Sequence, residues 1–253
     1  MKVLIVTVAG VASRFNIEMN EPVLKCLYHE SKIEDSLLYQ LVSLCESFDK
    51  IVIVGGYLFE HLKETIESDF QMILNKIILV NNEYYREYGS GYSLFLGIMA
   101  IHGLEVTELI FAEGDLFVDK LNFQNIISSP KNVITVNCEP ILAKKSVVFY
   151  QDLEDKIHYL YDLNHGKLFI PEPFIAIYNS AQIWKMNNLD LLFQCLFELP
   201  EEQHKGTNLV LIQNYFDHLD SKDYEIITMK VWFNCNTVND YRMTVCHRKD
   251  NDL

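Results

Sequence analysis

Four short apolar runs in the first half of the chain constrain the fold most strongly. The first, residues 2–8 (KVLIVTV), is continuously apolar and rich in β-branched side chains, which is typical of a strand buried on both faces of a parallel sheet. Similar runs cover residues 50–54, 77–80 and 109–112. The apolar spacing between the runs predicts helices over residues 33–48, 58–68 and 93–101. This alternation predicts an α/β fold with a mainly parallel sheet.

The second half of the chain has a different pattern, which indicates a mixed sheet. Short strands are predicted over residues 133–137, 146–150, 156–161, 174–178 and 223–233. Helices are predicted over residues 190–198 and 208–219. No repeat or Gly/Ser-rich linker separates the two parts of the sequence. We therefore predict one domain, residues 1–253, made of two halves, residues 1–121 and 122–253.

Composition argues against several classes of protein. The net charge of −14 disfavours a general nucleic-acid-binding surface, because such surfaces need clustered Lys and Arg. No apolar run approaches the roughly 20 residues that span a bilayer, and the first residues do not resemble a signal peptide. The six cysteines are scattered without a C-x-x-C pair, which favours reduced thiols over a zinc site or disulfides. We therefore predict a cytoplasmic protein with no nucleic-acid or membrane partner.

The loop after the first strand is the first candidate site, because parallel sheets bind ligands beyond the carboxyl ends of their strands. It consists of Val8, Ala9, Gly10, Val11, Ala12 and Ser13. Small residues let backbone N–H groups approach phosphate oxygens, and the cations Arg14 and Lys25 follow. The stretch is neither a P-loop nor a G-x-G-x-x-G fingerprint. Taken alone, it fits an ordinary strand-to-helix turn equally well.

Several motifs together resemble the sugar- and choline-phosphate nucleotidyltransferases. The usual signature of that family is a strand, Ala-Gly, a short loop, Gly/Ser-Arg and then Pro-Lys. Residues 10–15 (GVASRF) with Lys25 are similar, although Pro22 lies three residues before the lysine. Four later segments also resemble family motifs: the second strand (51–57), the base-recognition loop (89–94), the metal-binding aspartate (113–115) and the C-terminal element (232–240). The resemblance implies a Rossmann-like mixed sheet of the nucleotidyltransferase (GT-A-like) type.

The resemblance also implies roles for individual residues. Arg14 would hold the β- and γ-phosphates of a nucleotide, and Lys25 would lie near the α-phosphate, as the catalytic pair. The other nucleotide-binding residues would be Val8, Ala9, Gly10, Val11, Ala12, Ser13, Gly89, Ser90, Ser93 and Glu113. Asp115 and Asn236 would hold Mg²⁺, with Asn236 replacing the aspartate usual in the family and Asp240 as the alternative ligand. Ordinary structural roles stay open, namely a turn for Asp115 and helix caps for Ser90 and Asp240.

The expected activity is that of a cytidylyltransferase in capsule or surface polysaccharide biosynthesis. Residues 1–121 would bind CTP and residues 122–253 a small phosphorylated acceptor, giving a CDP-linked product and pyrophosphate. Phosphoglutamine is the favoured acceptor, and phosphocholine and sugar phosphates are alternatives. A nucleotide-sugar glycosyltransferase and a non-catalytic nucleotide-binding protein are the other interpretations. The sequence leaves the assembly open, with a homodimer as one possible form.

Overall fold

The parallel strands form the centre of a computed structural model that describes residues 1–161 and 167–250. These strands are β1 (Lys2–Thr7), β2 (Lys50–Gly55), β3 (Ile77–Asn81) and β4 (Glu108–Glu113). Strand β1 pairs in parallel with both β2 and β4, and β2 pairs in parallel with β3. All four strands lie where the apolar runs predict them. Their carboxyl ends therefore share one edge of the sheet.

The second half of the chain completes the same sheet in a mixed arrangement. Its strands are β6 (Asn132–Asn137), β7 (Val148–Asp152), β8 (Ile157–Tyr159), β9 (Phe174–Met186) and β10 (Tyr224–Met229). The order is β10-β6-β9-β4-β1-β2-β3, with β9 antiparallel to both β4 and β6. The hairpin of β7 and β8 pairs with the first part of β9. The predicted mixed α/β fold is confirmed.

A small second sheet lies above the carboxyl ends of the main strands. It contains β5 (Leu116–Val118) and β11 (Trp232–Asn234), which pair antiparallel. The backbone N–H of Cys235 donates to the carbonyl of Asp115 at 2.9 Å. This pairing brings residues near the C-terminus next to the end of β4.

Helices cover both faces of the sheet. They are α1 (Ser13–Asn16), α2 (Leu37–Ser43), α3 (Phe59–Asp69), α4 (Ser90–Met99), α5 (Lys120–Ser128), α6 (Leu189–Glu198), α7 (Glu201–His204), α8 (Leu209–Asp217) and α9 (Val238–Asp250). Within residues 1–161 and 167–250, none of these helices has the length and apolar character needed to cross a membrane. Alternate residues of β1 face opposite cores: Leu4 and Val6 pack on one side, Val3 and Ile5 on the other.

Three sequence predictions need correction. The helix predicted over residues 33–48 is a 3₁₀ turn (Ile33–Asp35) followed by the shorter α2, because Ser36 caps a new helix by accepting from the N–H of Tyr39. The strand predicted over residues 174–178 continues to Met186. The strand predicted over residues 223–233 is divided into β10 and β11, which belong to different sheets.

Candidate active site

A cavity of about 240 Å³ lies at the carboxyl edge of the sheet. The loop after β1 contributes Val8, Ala9, Gly10 and Ala12 to its wall. A Cβ atom added at Gly10 would come within 4 Å of none of the described residues, so packing does not require glycine there. The cavity wall is therefore open at this glycine, as a close approach of backbone to a ligand requires.

Asn16 fixes the shape of this loop, although the sequence did not point to it. Its side-chain amide donates to the carbonyls of Val11 and Val23, at 2.9 and 3.1 Å, and its Oδ1 accepts from the N–H of Val23. Ala12 adopts a left-handed conformation with φ of 51° at the start of α1. Asn16 thus joins the loop after β1 to the segment that leads to Lys25.

Lys25 projects into the cavity from a 3₁₀ turn (Lys25–Leu27) that is anchored by buried neighbours. Leu24 and Cys26 are 3% and 4% exposed, and they hold the turn against the core. The ammonium group of Lys25 lies 2.8 Å from Oδ2 of Asp115. Burial raises the pKa of the Cys26 thiol to about 12, so this cavity residue stays protonated at neutral pH. Among the described residues that line this cavity, Lys25 supplies the positive charge.

Asp115 lies in the turn between β4 and β5 and fits a cation site. Gly114 makes the turn possible, because a Cβ there would lie 2.2 Å from Cγ1 of Val8. Oδ2 of Asp115 is paired with Lys25, but its buried Oδ1 has no hydrogen-bond partner among the described residues. A buried carboxylate oxygen is costly without a partner, and carboxylates are the usual protein ligands of Mg²⁺. The donor atoms present therefore suit a hard divalent cation.

Glu113 lies two residues before Asp115 and is held by two amides. Gln182 Nε2 donates to its Oε2 at 2.6 Å, and Asn208 Nδ2 donates to its Oε1 at 2.9 Å. Burial, reinforced by the negative charge of Asp115, raises the pKa of Glu113 to about 7. A cation bound beside these two carboxylates would favour the ionised form of Glu113. Neither amide was singled out in the sequence.

The opposite wall contains Gly89, Ser90 and Ser93, at the start of α4. A Cβ at Gly89 would lie 2.2 Å from the carbonyl oxygen of Gly206, so this glycine is required by packing. The N–H of Gly89 donates to the carbonyl of Lys205 at 2.7 Å. Ser90 Oγ accepts from the backbone N–H of Asn208, and Ser90 lies inside α4, so it does not cap the helix.

Asn82 and two tyrosines complete this wall and were not assigned to the site from the sequence. Asn82 directly follows β3, is 1% exposed and donates through Nδ2 to Ser93 Oγ at 2.9 Å. Tyr85 and Tyr88 also line the cavity. The position of Asn82 after a strand end was a usable signal. Tyr85 and Tyr88 belong to a group of tyrosines close in sequence, with Tyr84 and Tyr92, which fits either a pocket wall or ordinary packing.

Two predicted residues lie at a second cavity of about 530 Å³. The guanidinium of Arg14 donates to Oδ1 of Asn236 at 2.8 Å, and both residues line this second cavity. Of the described residues predicted to bind nucleotide, Val11 and Ser13 line neither cavity. Asn16 holds the carbonyl of Val11 and α1 starts at Ser13, so of loop residues 11–13 only Ala12 lines the first cavity.

The wall of the second cavity combines amides with charges of both signs. The amides include Asn179, Gln182 and Asn234, and the charged residues include Glu139 and Lys145. The lining residues come from α1, from the loop after β6, from β9, from β11 and from the start of α9. The two cavities thus lie on neighbouring parts of the same sheet edge.

Asp240 also lines the second cavity, and its Oδ2 caps α9. It accepts from the N–H groups of Asn236 and Thr237, at 2.9 and 2.8 Å, while Thr237 Oγ1 accepts from the N–H of Asp240. This reciprocal pattern is a capping box. The structural role that the sequence left open for Asp240 is therefore present.

Three solved structures with this architecture are nucleotidyltransferases by description. The inositol-1-phosphate CTP transferase of T. maritima has a TM-score of 0.68 and 16% identity, covering 98% of this chain and 96% of that chain. A putative glucose-1-phosphate thymidylyltransferase of Bacillus anthracis has a TM-score of 0.72 and 13% identity, covering 99% and 96%. CTP:phosphocholine cytidylyltransferase of Streptococcus pneumoniae has a TM-score of 0.65 and 16% identity, covering 96% of both chains. The fold is therefore that of this class of proteins.

The family of the chain is defined by sequence. A family model described as "Domain of unknown function (DUF6564)" matches residues 21–247. The chain belongs to this family. No curated protein matches the sequence.

Proposed function

We propose that the protein is a nucleotidyltransferase that uses CTP to activate a small phosphorylated metabolite. The observation that carries the proposal is the pairing of Lys25 with Asp115 in the first cavity, where Oδ1 of Asp115 is buried without a partner among the described residues. A positive charge beside an available carboxylate oxygen suits a metal–triphosphate complex. The nucleotidyltransferase fold of the solved neighbours supports the same class of reaction.

In the proposed reaction, a phosphate oxygen of the acceptor attacks the α-phosphorus of CTP. A new P–O bond forms, the bond between the α-phosphorus and the bridging oxygen to the β-phosphorus breaks, and pyrophosphate leaves with the electron pair. The acceptor phosphate is already ionised near neutral pH, so no general base is needed. Lys25 neutralises charge that gathers around the α-phosphate, and the walls of the two cavities hold the reactants in line.

The proposed cofactor is Mg²⁺, with Asp115 and Asn236 as its ligands. When bound, Mg²⁺ would neutralise negative charge on the phosphate oxygens. Oδ1 of Asn236 accepts from Arg14 in the structure. If Arg14 turns towards the β- and γ-phosphates, as proposed, the same movement frees the amide oxygen of Asn236. Arg14 is exposed, so it can make this change at small cost.

Phosphoglutamine is the acceptor that we favour, and the product would serve capsule or surface polysaccharide biosynthesis in the cytoplasm. The second cavity offers amides together with Lys145 and Glu139, a combination that suits a ligand carrying both a carboxylate and an ammonium group. Phosphocholine would call instead for an aromatic cage around a quaternary ammonium group. The aromatic side chains among the described residues of this cavity are Trp232 and Phe233, and Phe233 packs against Phe117.

A pyrophosphate-release assay with CTP, Mg²⁺ and a panel of phosphorylated acceptors tests the proposal. We expect pyrophosphate with phosphoglutamine and less with phosphocholine or sugar phosphates. Release with another acceptor alone would keep the reaction class and remove phosphoglutamine. Nucleotide-dependent thermal stabilisation without turnover would indicate a binding protein, and hydrolysis of a nucleotide sugar would indicate a glycosyltransferase.

A further inference from the structure

Strand β9 is irregular where it passes between the two cavities. Ile134 of β6 lies opposite Trp184, whereas Val136 lies opposite Ser180, so β9 uses two more residues than its partner. Gln182 lies within this bulge, is 6% exposed and has φ of 58°. A left-handed conformation at a buried residue other than glycine costs free energy and needs support from its surroundings.

Side chains from other elements supply that support. Trp232 Nε1 donates to the carbonyl of Ala181 at 2.8 Å. Thr135 Oγ1 donates to the carbonyl of Ile183 at 2.7 Å and accepts from its N–H at 3.2 Å. Backbone groups that the bulge removes from the regular strand ladder therefore have partners. Bulges of this kind commonly redirect a side chain beside an active site.

The bulge directs the side chain of Gln182 between the two cavities. Its Nε2 donates to Glu113, which lines the first cavity, at 2.6 Å. Its Oε1 accepts from Nδ2 of Asn234, which lines the second cavity, at 3.1 Å. Asn236 Nδ2 donates in turn to Oδ1 of Asn234 at 2.6 Å. A row of hydrogen bonds thus runs from the first cavity to Arg14, which is bonded to Asn236.

We infer that Gln182 is a positioning residue that holds the carboxylate of Glu113 towards the first cavity and orients Asn234 in the second. This inference rests on the proposed function for its kinetic consequence. The Gln182 amide contacts both groups, while Asn208 holds the other oxygen of Glu113, so a change in the second cavity is transmitted through Gln182 to the carboxylate beside Asp115. If Gln182 only supported the bulge, it would not need an amide that contacts residues of both cavities. A structural role and a positioning role can therefore be separated by experiment.

The kinetic test replaces Gln182 with methionine, which has a similar length and cannot make either hydrogen bond. We expect kcat to fall about 10- to 100-fold with the phosphorylated acceptor, because a misplacement of about 1 Å that arises away from the reacting atoms can cost about 10²-fold in rate. The KM for CTP should change much less than kcat. Asn234→Ala breaks the second bond without altering the strained residue, and we expect it to raise the KM for the acceptor.

The matched control is Gln213→Met. Gln213 is another buried glutamine, and its Nε2 donates to the carbonyl of Ile157 and to Asp217, away from both cavities. We expect this variant to lose thermal stability and keep its kcat. The inference would be overturned if Gln182→Met kept the wild-type kcat. It would also be overturned if both glutamine variants lost activity in proportion to their loss of stability.

A crystal structure of Gln182→Met without ligand separates this inference from the proposed function. We expect the carboxylate of Glu113 to turn away from its wild-type position. If wild-type protein transfers nucleotide to no acceptor, the proposed function fails, while a displaced Glu113 would still support the positioning role. An unmoved Glu113 would overturn it, whatever the activity. If the variant does not fold, the same comparison is made at Asn234→Ala, where Gln182 itself should shift.

Discussion

The two cavities at the sheet edge are built in different ways. The first is formed largely by backbone and small residues that directly follow parallel strands, such as Gly10 after β1 and Gly114 after β4. The second is formed largely by side chains that project from an antiparallel strand, a small separate sheet and α9. Its polar groups are held by other side chains, as Asn234 is held by Gln182.

This difference fits a model in which the first cavity binds the nucleotide, which is common to the whole class of enzymes, and the second binds the acceptor, which varies between them. A wall of strand-end backbone changes little when side chains are substituted, which suits a nucleotide phosphate that is the same in every reaction of the class. A wall of side chains can be altered residue by residue, which suits an acceptor that differs between enzymes. On this account, changes in the first cavity affect CTP binding and the chemical step, and changes at Glu139 or Lys145 in the second affect recognition of the acceptor. Arg14 and Asn236 also line the second cavity, and in the proposed reaction they serve the nucleotide and its metal.

The largest expected effect is that of Lys25→Ala in the first cavity. We expect kcat to fall about 10²–10³-fold, because the variant lacks a donor that neutralises charge in the transition state. Pyrophosphate release under saturating substrates measures the change. Lys63→Ala, on the exposed face of α3, is the control and should keep full activity. Near-normal turnover of the Lys25 variant would show that the first cavity does not perform the chemistry.

The glycines of the first cavity should separate binding from folding. Gly10→Ala places a methyl group in open space, so we expect the stability to stay unchanged. We expect CTP to bind roughly tenfold more weakly, because the methyl group would keep the phosphates from approaching the backbone closely. Gly114→Ala would bring Cβ within 2.2 Å of Val8 and 2.9 Å of the Thr7 carbonyl, so we expect a loss of about 1–3 kcal/mol in stability. Calorimetric titration and thermal unfolding measure the two effects. Equal CTP affinity in Gly10→Ala would contradict a nucleotide at this wall.

A smaller effect is expected in the second cavity. Lys145 lines that cavity, while its neighbour Lys144 does not, and both side chains are exposed. We expect Lys145→Ala to raise the KM for the acceptor about 5- to 10-fold and to leave the KM for CTP unchanged. This rise corresponds to the loss of one exposed charge-assisted hydrogen bond of roughly 1–1.5 kcal/mol. Lys144→Ala is the matched control and should change neither constant. A larger effect on CTP than on the acceptor would reverse the assignment of the two cavities.

The smallest expected effect concerns Asp240. Because this residue caps α9, we expect Asp240→Ala to lose about 1 kcal/mol of stability while Mg²⁺-dependent turnover persists. Asn239→Ala, at the exposed neighbouring position, should change stability less. Denaturant unfolding and a Mg²⁺ titration of activity distinguish the roles. Loss of the Mg²⁺ response would make Asp240 a metal ligand instead of Asn236.

The contrast between the cavities also explains how much the sequence could predict. The four parallel strands are continuous apolar runs, and their ends are visible in the sequence, so Gly10 and Asp115 could be assigned to one edge. Lys25 was added to this edge by the resemblance to the nucleotidyltransferases. Strand β9 could not be predicted in full, because buried polar residues such as Gln182 and Lys185 interrupt its apolar pattern. Those groups are satisfied by partners distant in sequence, and local patterns carry no trace of such contacts.

The placement of Arg14 shows the same limit. Its partner Asn236 lies 222 residues away, and the two meet only because β11 pairs with β5. Likewise, Asn208 reaches both Ser90 and Glu113 only through the packing of α8 beside α4. Contacts between side chains that are distant in sequence determine which residues line the second cavity, and these contacts cannot be read from a single sequence.

The most direct test of the central claim follows the α-phosphate of CTP through the reaction. The protein is incubated with Mg²⁺, CTP labelled at the α-phosphate and, in separate reactions, phosphoglutamine, phosphocholine or a sugar phosphate, and the products are separated by chromatography. The account predicts that the label appears in a CDP-linked product and that the pyrophosphate is unlabelled. Label that stays in CTP with every acceptor of the panel, or that leaves as CMP without a linked product, would contradict nucleotidyl transfer to a phosphorylated acceptor.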